Sequence, residues 1–125
     1  MGGAGPAGSS VLVVDDDLDI RLMISQALEL EGWRVTTAAN GREALDRLIT
    51  GERPRMILLD VMMPVMSGWE VLQALRGDDA LRSIPVVLIS GDDSVGARLP
   101  ATGATTFLRK PIDLSVLLDT VARYA

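Results

Sequence analysis

The chain has 125 residues, of which 48% are apolar, and both values are typical of a single globular domain that buries a sizeable core. Its formal charge of −5 argues against nucleic acid as a partner, because phosphate backbones are bound by basic surfaces. The sequence contains no cysteine and no histidine, which excludes disulfides, thiolate nucleophiles, serine–histidine triads and histidine metal ligands.

Residues 1–10, MGGAGPAGSS, precede the first patterned segment. Glycine, alanine and serine dominate here, and the basic start and apolar centre of a secretory signal are missing. We interpret this segment as a disordered leader or a cloning remnant, and residues 11–125 as one domain. No stretch has the apolar length of a membrane span, so we expect a cytoplasmic protein without membrane contacts.

The domain begins with a predicted strand followed by a helix. Residues 11–14 form an apolar run that ends in three aspartates, which is typical of a strand buried on both faces. Asp17 is the expected N-cap of the helix, and Gly32 follows its last turn. Helical spacing gives this helix a buried stripe of Ile20, Met23, Ile24, Ala27 and Leu28. Leu18 and Leu22 lie off the stripe.

Two more strand–helix units follow. The β-branched segment 33–38 predicts a second strand, and a capping pattern at Asn40 begins a second helix. The apolar face of that helix is Ala44, Leu45, Leu48 and Ile49. Residues 56–60, MILLD, predict a third buried strand, and Ser67 with Glu70 forms a capping box for a third helix. Its buried side is Val71, Leu72 and Leu75.

The last part of the chain continues the alternation less regularly. Residues 85–90 predict a fourth buried strand, whereas glycine and Pro100 allow at most a short helix near residues 94–99. Residues 106–108 predict a short fifth strand, and Asp113 is the expected N-cap of the last helix. The apolar face of this helix is Leu114, Leu117, Leu118 and Val121.

Five alternating strand–helix units predict an α/β fold. The expected architecture is a three-layer α/β/α sandwich around a flavodoxin-like, doubly wound, five-stranded parallel sheet. Its strand order would be 2-1-3-4-5.

Polar residues stand at the carboxyl ends of four of these strands, namely Asp15, Asp16, Asp60, Ser90 and Lys110. Parallel strands deliver these ends to one edge of the sheet, so the three carboxylates would converge there. Converging carboxylates repel each other, and a hard divalent cation such as Mg²⁺ or Mn²⁺ is the usual remedy.

The same group of residues suits phosphoryl transfer. Asp60 can act as a nucleophile that forms an acyl phosphate, and Lys110 with the cation can stabilise the transferring oxygens. The Ser90 hydroxyl can donate a hydrogen bond to the phosphoryl group. Each assignment has an alternative without function: Asp15 and Asp16 as helix-capping acids, Lys110 as a surface lysine and Ser90 as an ordinary strand end.

The segments V-L-V-V-D-D-D, L-L-D-V-M-M-P-V-M-S-G, V-L-I-S-G and L-R-K-P are similar to the signature segments of the receiver domain of two-component response regulators. They occur in the family's order and nearly its spacing, over residues 11–125. The chain most resembles the single-domain chemotaxis regulators of that family.

The resemblance implies a role for each strand-end residue. Asp60 would be the phosphoacceptor, and the metal ligands would be Asp15, Asp16, Asp60 and the backbone carbonyl of Met62. Ser90 and Lys110 would contact the phosphoryl group. Phe107 would change rotamer when Ser90 moves, although it can equally be a core residue, and the methionines near Met62 can simply be packing. Pro111 would follow a cis peptide bond.

The resemblance also implies partners. A histidine kinase or histidine phosphotransfer protein would donate the phosphoryl group, and the chain would be a self-catalysing phosphoacceptor rather than an enzyme. Leu18, Leu22 and Pro111 are the candidate docking residues. We expect a monomer or a weak phosphorylation-dependent dimer, but an irregular fourth helix puts that dimer surface in doubt. We expect no output domain after the last helix.

Two other functions stay open. A phosphatase of the haloacid-dehalogenase type would use Asp15 as nucleophile and Asp17 as acid–base, but its motif has Thr or Val where Asp19 stands, and no cap domain is inserted here. A receiver-fold interaction module could act without phosphorylation, which the intact acidic cluster disfavours. A dinucleotide-binding role is excluded because no G-x-G-x-x-G follows the first strand.

Overall fold

The computed structural model describes residues 10–92 and 94–125. The predicted leader lies outside the described residues except for Ser10, where the first strand begins. The elements are β1 Ser10–Val14, α1 Leu18–Leu30, β2 Arg34–Ala38, α2 Gly41–Ile49, β3 Met56–Asp60, α3 Gly68–Arg76, β4 Val86–Ser90, α4 Ser94–Thr102, β5 Thr106–Arg109 and α5 Leu114–Tyr124. None of the helices in this described part is long and apolar enough to cross a membrane.

The five strands form one parallel sheet in the order β2-β1-β3-β4-β5, which confirms the predicted fold class. In the register, Val14 of β1 lies opposite Leu59 of β3, and Asp60 lies opposite Ile89 of β4. Asp15, Asp60 and Ser90 therefore lie at the same edge of the sheet, within one residue of each other along the strands.

The sheet is covered on both faces. Leu12 and Val14 of β1 contribute to a core that α2, α3 and α4 cover, whereas Val11 and Val13 face a core that α1 and α5 cover. Strands β3 and β4 are buried along their whole length, as expected of central parallel strands between two helical layers. This burial on both sides explains why their sequences are continuous apolar runs.

The helices begin at the predicted capping residues. Side-chain oxygens of Asp17, Asn40, Ser67 and Asp113 accept hydrogen bonds from backbone N–H groups in the first turns of α1, α2, α3 and α5. Ser67 and Glu70 form the complete capping box. Gly32 follows the end of α1 with φ of 94°, a left-handed conformation that glycine adopts without strain.

The fourth helix begins at the predicted residue but is longer than the predicted residues 94–99. Helix α4 runs from Ser94 to Thr102 and includes Pro100. A proline inside a helix removes one backbone hydrogen bond. Here Val95 and Leu99 pack against the core, and this tertiary packing holds the turn together despite the missing bond. Gly103 follows the last residue of the helix, with φ of 80°.

The predicted helix faces were slightly too wide. Ile49 of α2 is 69% exposed, because the buried stripe of that helix is Gly41, Ala44, Leu45 and Leu48 and Ile49 lies beside it. Met23 of α1 and Leu114 of α5 are likewise exposed at the margins of their stripes. The inner positions Ile24, Leu28, Leu117 and Val121 are fully buried.

Helix α4 approaches β5 closely at Gly96, where an added Cβ would lie 2.8 Å from Cε1 of the Phe107 ring. Alanine at a helical glycine position stabilises by about 0.5–1 kcal/mol, but overpacking costs about 1–3 kcal/mol. We therefore expect Gly96→Ala to lower the free energy of unfolding by about 1 kcal/mol and to be neutral or stabilising when Phe107 is also replaced by leucine. Urea denaturation of the four proteins in this double-mutant cycle measures the difference; equal effects in both backgrounds would contradict the contact.

Candidate functional site

Three aspartates converge at the carboxyl edge of the sheet. Asp15 directly follows β1 and is fully buried; its backbone N–H donates to the Ala38 carbonyl at 3.2 Å, and its Oδ1 accepts from the Asp17 N–H at 2.9 Å. Asp60 is the last residue of β3 and is 2% exposed, whereas Asp16 is exposed. One carboxylate oxygen of each aspartate lies within 4.8 Å of the other two. The structure thus brings the predicted acidic residues together.

The ammonium group of Lys110 forms ion pairs with the buried carboxylates of Asp15 and Asp60. Its Nζ lies 3.2 Å from Asp15 Oδ2 and 3.5 Å from Asp60 Oδ2. The residue follows β5 directly, its backbone N–H donates to the Ser90 carbonyl at 3.0 Å, and its peptide bond to Pro111 is cis. Burial lowers the pKa of Lys110, but the carboxylates of Asp60 and Asp15 outweigh that effect and raise the pKa above its ordinary value. The side chain is therefore a fixed ammonium ion at neutral pH.

Asp60 is less acidic than an ordinary aspartate. Burial and the neighbouring charge of Asp15 raise its pKa to about 6, against the opposing effects of Lys110 and of the Met62 backbone N–H, which donates to Oδ1 at 3.3 Å. The charged form of Asp60 is thus disfavoured by burial and by Asp15, and the Lys110 ammonium offsets this only in part. A bound cation would relieve this repulsion.

The residues present fit a magnesium or manganese ion. All donors are oxygens, as these hard cations prefer. Asp15 Oδ2 is buried and has no hydrogen-bond partner within the part of the chain that the structure describes, although the Lys110 ammonium lies 3.2 Å away. One carboxylate oxygen from each of the three aspartates lies within 4.8 Å of the others, so the three residues could hold a single ion. Asp16 faces solvent, which leaves room for the water ligands that Mg²⁺ retains.

Ser90 and Phe107 lie on β4 and β5, the two strands that follow β3 in the sheet. Ser90, the last residue of β4, is 1% exposed, and its Oγ accepts the backbone N–H of Asp92 at 3.0 Å. Phe107 of β5 is half-buried and packs against the core on the α4 side. The hydroxyl is therefore held by the loop that leads into α4, and the ring lies against the same helix. The proposed switching roles of the two residues stay predictions.

The predicted docking residues lie on the surface beside this site. Leu18 and Leu22 of α1 are 57% and 49% exposed, and Pro111 is exposed as well. Leu22 also lines a shallow groove between α1 and α5 that includes Met23, Leu30 and Leu114. A partner approaching the acidic cluster from this side would meet an apolar surface.

Two side-chain contacts were missed by sequence reasoning, one of them at the acidic cluster. Nη1 of Arg21 donates to the backbone carbonyl of Asp15 at 2.6 Å. The guanidinium of Arg98, on α4, lies 4.1 Å from the centre of the Trp69 ring on α3, a cation–π contact between two helices on one face of the sheet. Neither contact has a periodic signature in the sequence, because long side chains reach partners that local spacing does not specify.

A family model of the response regulator receiver domain matches residues 11–122. The chain is 43% identical over 112 residues to the response regulator MprA of Mycolicibacterium vanbaalenii, covering 86% of this chain and 46% of that protein. It is 33% identical over 114 residues to sporulation initiation phosphotransferase F of Bacillus subtilis, covering 91% of both chains. The chain thus spans about half the length of MprA and most of the length of the Bacillus protein.

Solved structures agree with these sequence relatives. The chemotaxis protein CheY4 of Vibrio cholerae superposes with a TM-score of 0.86 at 38% identity, covering 95% of this chain and all of the other. The response regulator TrrA of Thermotoga maritima, solved in complex with Mg²⁺–BeF, superposes with a TM-score of 0.83 at 28% identity, covering 94% of this chain and 99% of the other. The chain belongs to the response regulator receiver domain family.

Proposed function

We propose that this chain is a phosphoacceptor of a two-component system, in which Asp60 receives a phosphoryl group from a histidine of a partner kinase or phosphotransfer protein. The observation that carries the proposal is the cluster of Asp15, Asp16 and Asp60 with the Lys110 ammonium beside it. A purely structural set of buried acids would be paired one to one, whereas here the negative charge exceeds the neighbouring positive charge.

The transfer follows from the chemistry of the residues. A carboxylate oxygen of Asp60 attacks the phosphorus, and the P–N bond to the donor histidine breaks. The imidazole leaves with the bonding electron pair and takes up a proton from water, and Asp60 becomes an acyl phosphate. Because the pKa of Asp60 is about 6, its carboxyl group is ionised in most molecules at neutral pH and is then competent to attack. Hydrolysis by water later returns the carboxylate and inorganic phosphate.

The remaining residues of the site would hold the cation and neutralise the charge of the phosphoryl group. Asp15, Asp16, Asp60 and the Met62 backbone carbonyl would hold Mg²⁺ or Mn²⁺, which supplies neutralising charge to the phosphoryl oxygens. The Lys110 ammonium, already fixed between Asp15 and Asp60, would pair with a phosphoryl oxygen.

The conformational signal would pass through Ser90. Its hydroxyl would turn from the Asp92 N–H towards the phosphoryl group, and Phe107 would follow into the space it leaves. The β4–α4 loop and α4 would then shift, because Ser90 and Phe107 contact them directly. The readout of this signal, in the cytoplasm, would be a partner protein or a change between monomer and weak dimer.

Intact-mass spectrometry after incubation with acetyl phosphate, with and without Mg²⁺, tests the proposal on the wild type, Asp60→Asn and Asp15→Asn. We expect one added phosphoryl group that requires Mg²⁺ and disappears in Asp60→Asn. Loss in Asp15→Asn alone would favour the phosphatase type with its nucleophile on β1. That alternative is already disfavoured because its acid–base residue, Asp17, is engaged as the N-cap of α1. No adduct in any folded sample would favour an interaction module that works without phosphorylation.

The docking surface gives a separate prediction. We expect Leu22→Arg to lower the rate of phosphotransfer from the cognate histidine donor at least about tenfold, because a charge replaces an apolar contact beside the site. Phosphorylation by acetyl phosphate should be unchanged, because a small donor needs no docking surface. Ile49→Arg, an equal charge change at an exposed leucine-sized residue of α2, is the matched control. An equal effect of the two substitutions, or none from Leu22→Arg, would place docking elsewhere.

A further inference from the structure

The side chain of Arg21 contacts the backbone of the acidic cluster. Arg21 lies in the first turn of α1, and its own N–H donates to the Asp17 carbonyl at 3.0 Å as part of the helix. Its half-buried side chain turns back over this turn, and Nη1 donates to the Asp15 carbonyl at 2.6 Å. This is a short, charge-assisted hydrogen bond to a backbone oxygen.

The carbonyl that accepts this bond belongs to the peptide joining Asp15 to Asp16. The N–H of Asp15 is also held, by the Ala38 carbonyl, and Oδ1 by the Asp17 N–H, whereas Oδ2 has only the ion pair with Lys110 at 3.2 Å. Asp16, in contrast, is exposed, and its carboxylate accepts no hydrogen bond from the described residues. The orientation of the Asp15–Asp16 peptide plane is therefore what determines the direction in which Asp16 leaves the sheet.

We infer that Arg21 is a positioning residue for the cation site: it fixes the Asp15–Asp16 peptide so that two consecutive carboxylates face one divalent ion. Consecutive residues of an extended chain point to opposite sides, so two neighbouring aspartates reach the same ion only if the peptide between them is turned and held. The inference rests on the proposed function, because it assumes that Asp15 and Asp16 bind the cation.

If Arg21 acted through its charge alone, its removal would strengthen cation binding instead of weakening it. A guanidinium near the cluster repels a dication, so removing Arg21 would tighten cation binding if its charge were all that mattered. Loss of a residue that orients a metal ligand typically weakens binding about 10- to 100-fold. The sign of the change therefore separates positioning from electrostatics.

Manganese binding, measured by isothermal titration calorimetry with Mn²⁺ alone, tests the inference. We expect Arg21→Met to weaken Mn²⁺ binding about tenfold. Arg21→Lys, which keeps the charge but lacks the planar fork, should also weaken it. Arg34→Met removes the same charge from the amino end of β2, at the far edge of the sheet, and should leave the affinity within about twofold of wild type. Tighter binding by Arg21→Met, or wild-type binding by both Arg21 variants, would overturn the inference.

A second pair of measurements distinguishes positioning from general loosening of the fold. If Arg21 acts through Asp16, then Arg21→Met should weaken Mn²⁺ binding by less than about twofold in an Asp16→Asn background; an undiminished effect there would overturn the inference. The phosphorylation rate of Arg21→Met from acetyl phosphate should approach the wild-type rate at saturating Mg²⁺, so that the apparent affinity changes and the maximal rate does not. Wild-type protein that neither binds Mn²⁺ nor accepts a phosphoryl group would overturn the proposed function as a whole, whereas failure confined to the Arg21 variants would overturn this inference alone.

Discussion

Replacement of Lys110 by methionine is expected to lower the free energy of unfolding of the cation-free protein by about 2–3 kcal/mol near neutral pH. The ammonium lies 3.2 Å and 3.5 Å from carboxylates of Asp15 and Asp60, both of which are buried. Breaking a buried ion pair typically costs about 3–5 kcal/mol. The loss is limited here because removal of Lys110 also removes an effect that lowers the pKa of Asp60, so that Asp60 takes up a proton at a cost below about 2 kcal/mol at about pH 7.5.

Addition of Mg²⁺ should restore much of the stability of Lys110→Met, because a dication neutralises the same carboxylates and stabilises the folded state by mass action. Phosphorylation should stay slow even with Mg²⁺, since the ammonium that would pair with the phosphoryl oxygens is absent. Arg82→Met is the control: it removes an exposed pair with Asp79, at 3.2 Å, whose contribution should be below about 1 kcal/mol. Urea denaturation with EDTA or Mg²⁺ measures these differences. A Lys110→Met protein as stable as the wild type in EDTA would show that the carboxylates do not depend on this lysine.

Asp60→Asn is expected to make the cation-free protein more stable near neutral pH, by up to about 3 kcal/mol. The folded state holds a proton on Asp60 up to about pH 6, whereas the unfolded chain releases it near the model value of 3.8. The folded protein therefore binds more protons than the unfolded chain between these two values. This contribution to stability is fully present below the lower value and is lost as pH rises through the higher one.

Urea denaturation in EDTA at several pH values checks this sign. Stability of the wild type should fall between about pH 4 and pH 6, and Asp60→Asn should not show that fall. The carboxyl groups of Asp92 and Asp113 have pKa values lowered by hydrogen bonds from Ser94 and Ser115, so their effect has the opposite sign and lies below this window. Mg²⁺ should flatten the wild-type profile. A wild-type stability that rises across this window, or an Asp60→Asn protein less stable than the wild type at neutral pH, would contradict the assigned burial and repulsion.

The arrangement of strands could be predicted because buried parallel strands have a strong local signature. Residues 56–60 and 86–90 are continuous apolar runs, and the capping residues Asp17 and Ser67 mark where helices begin. The extent of α4 could not be predicted, because Pro100 argues locally against a helix that packing around Val95 and Leu99 maintains. The exact buried faces of the helices could not be predicted for a similar reason. The exposed Ile49 belongs to the apolar pattern of α2 but does not contact the sheet.

The candidate site was predictable as far as sheet geometry determines it. Asp15, Asp60 and Ser90 end strands that must be neighbours in a doubly wound sheet, so their proximity follows from the strand order. The hydrogen bond from Arg21 to the Asp15 carbonyl could not be predicted, because it depends on the path of one long side chain across a helix turn. The pKa of Asp60 likewise depends on burial that no local pattern measures.

The central claim is that Asp60 itself becomes the acyl phosphate. Its most direct test is reduction of the phosphorylated protein with sodium borohydride, which converts an aspartyl phosphate to homoserine, followed by peptide mapping by tandem mass spectrometry. We predict homoserine at position 60, in protein phosphorylated by acetyl phosphate or by a phosphorylated histidine donor, and only when Mg²⁺ or Mn²⁺ is present. Homoserine at Asp15 or Asp16 instead would contradict the account.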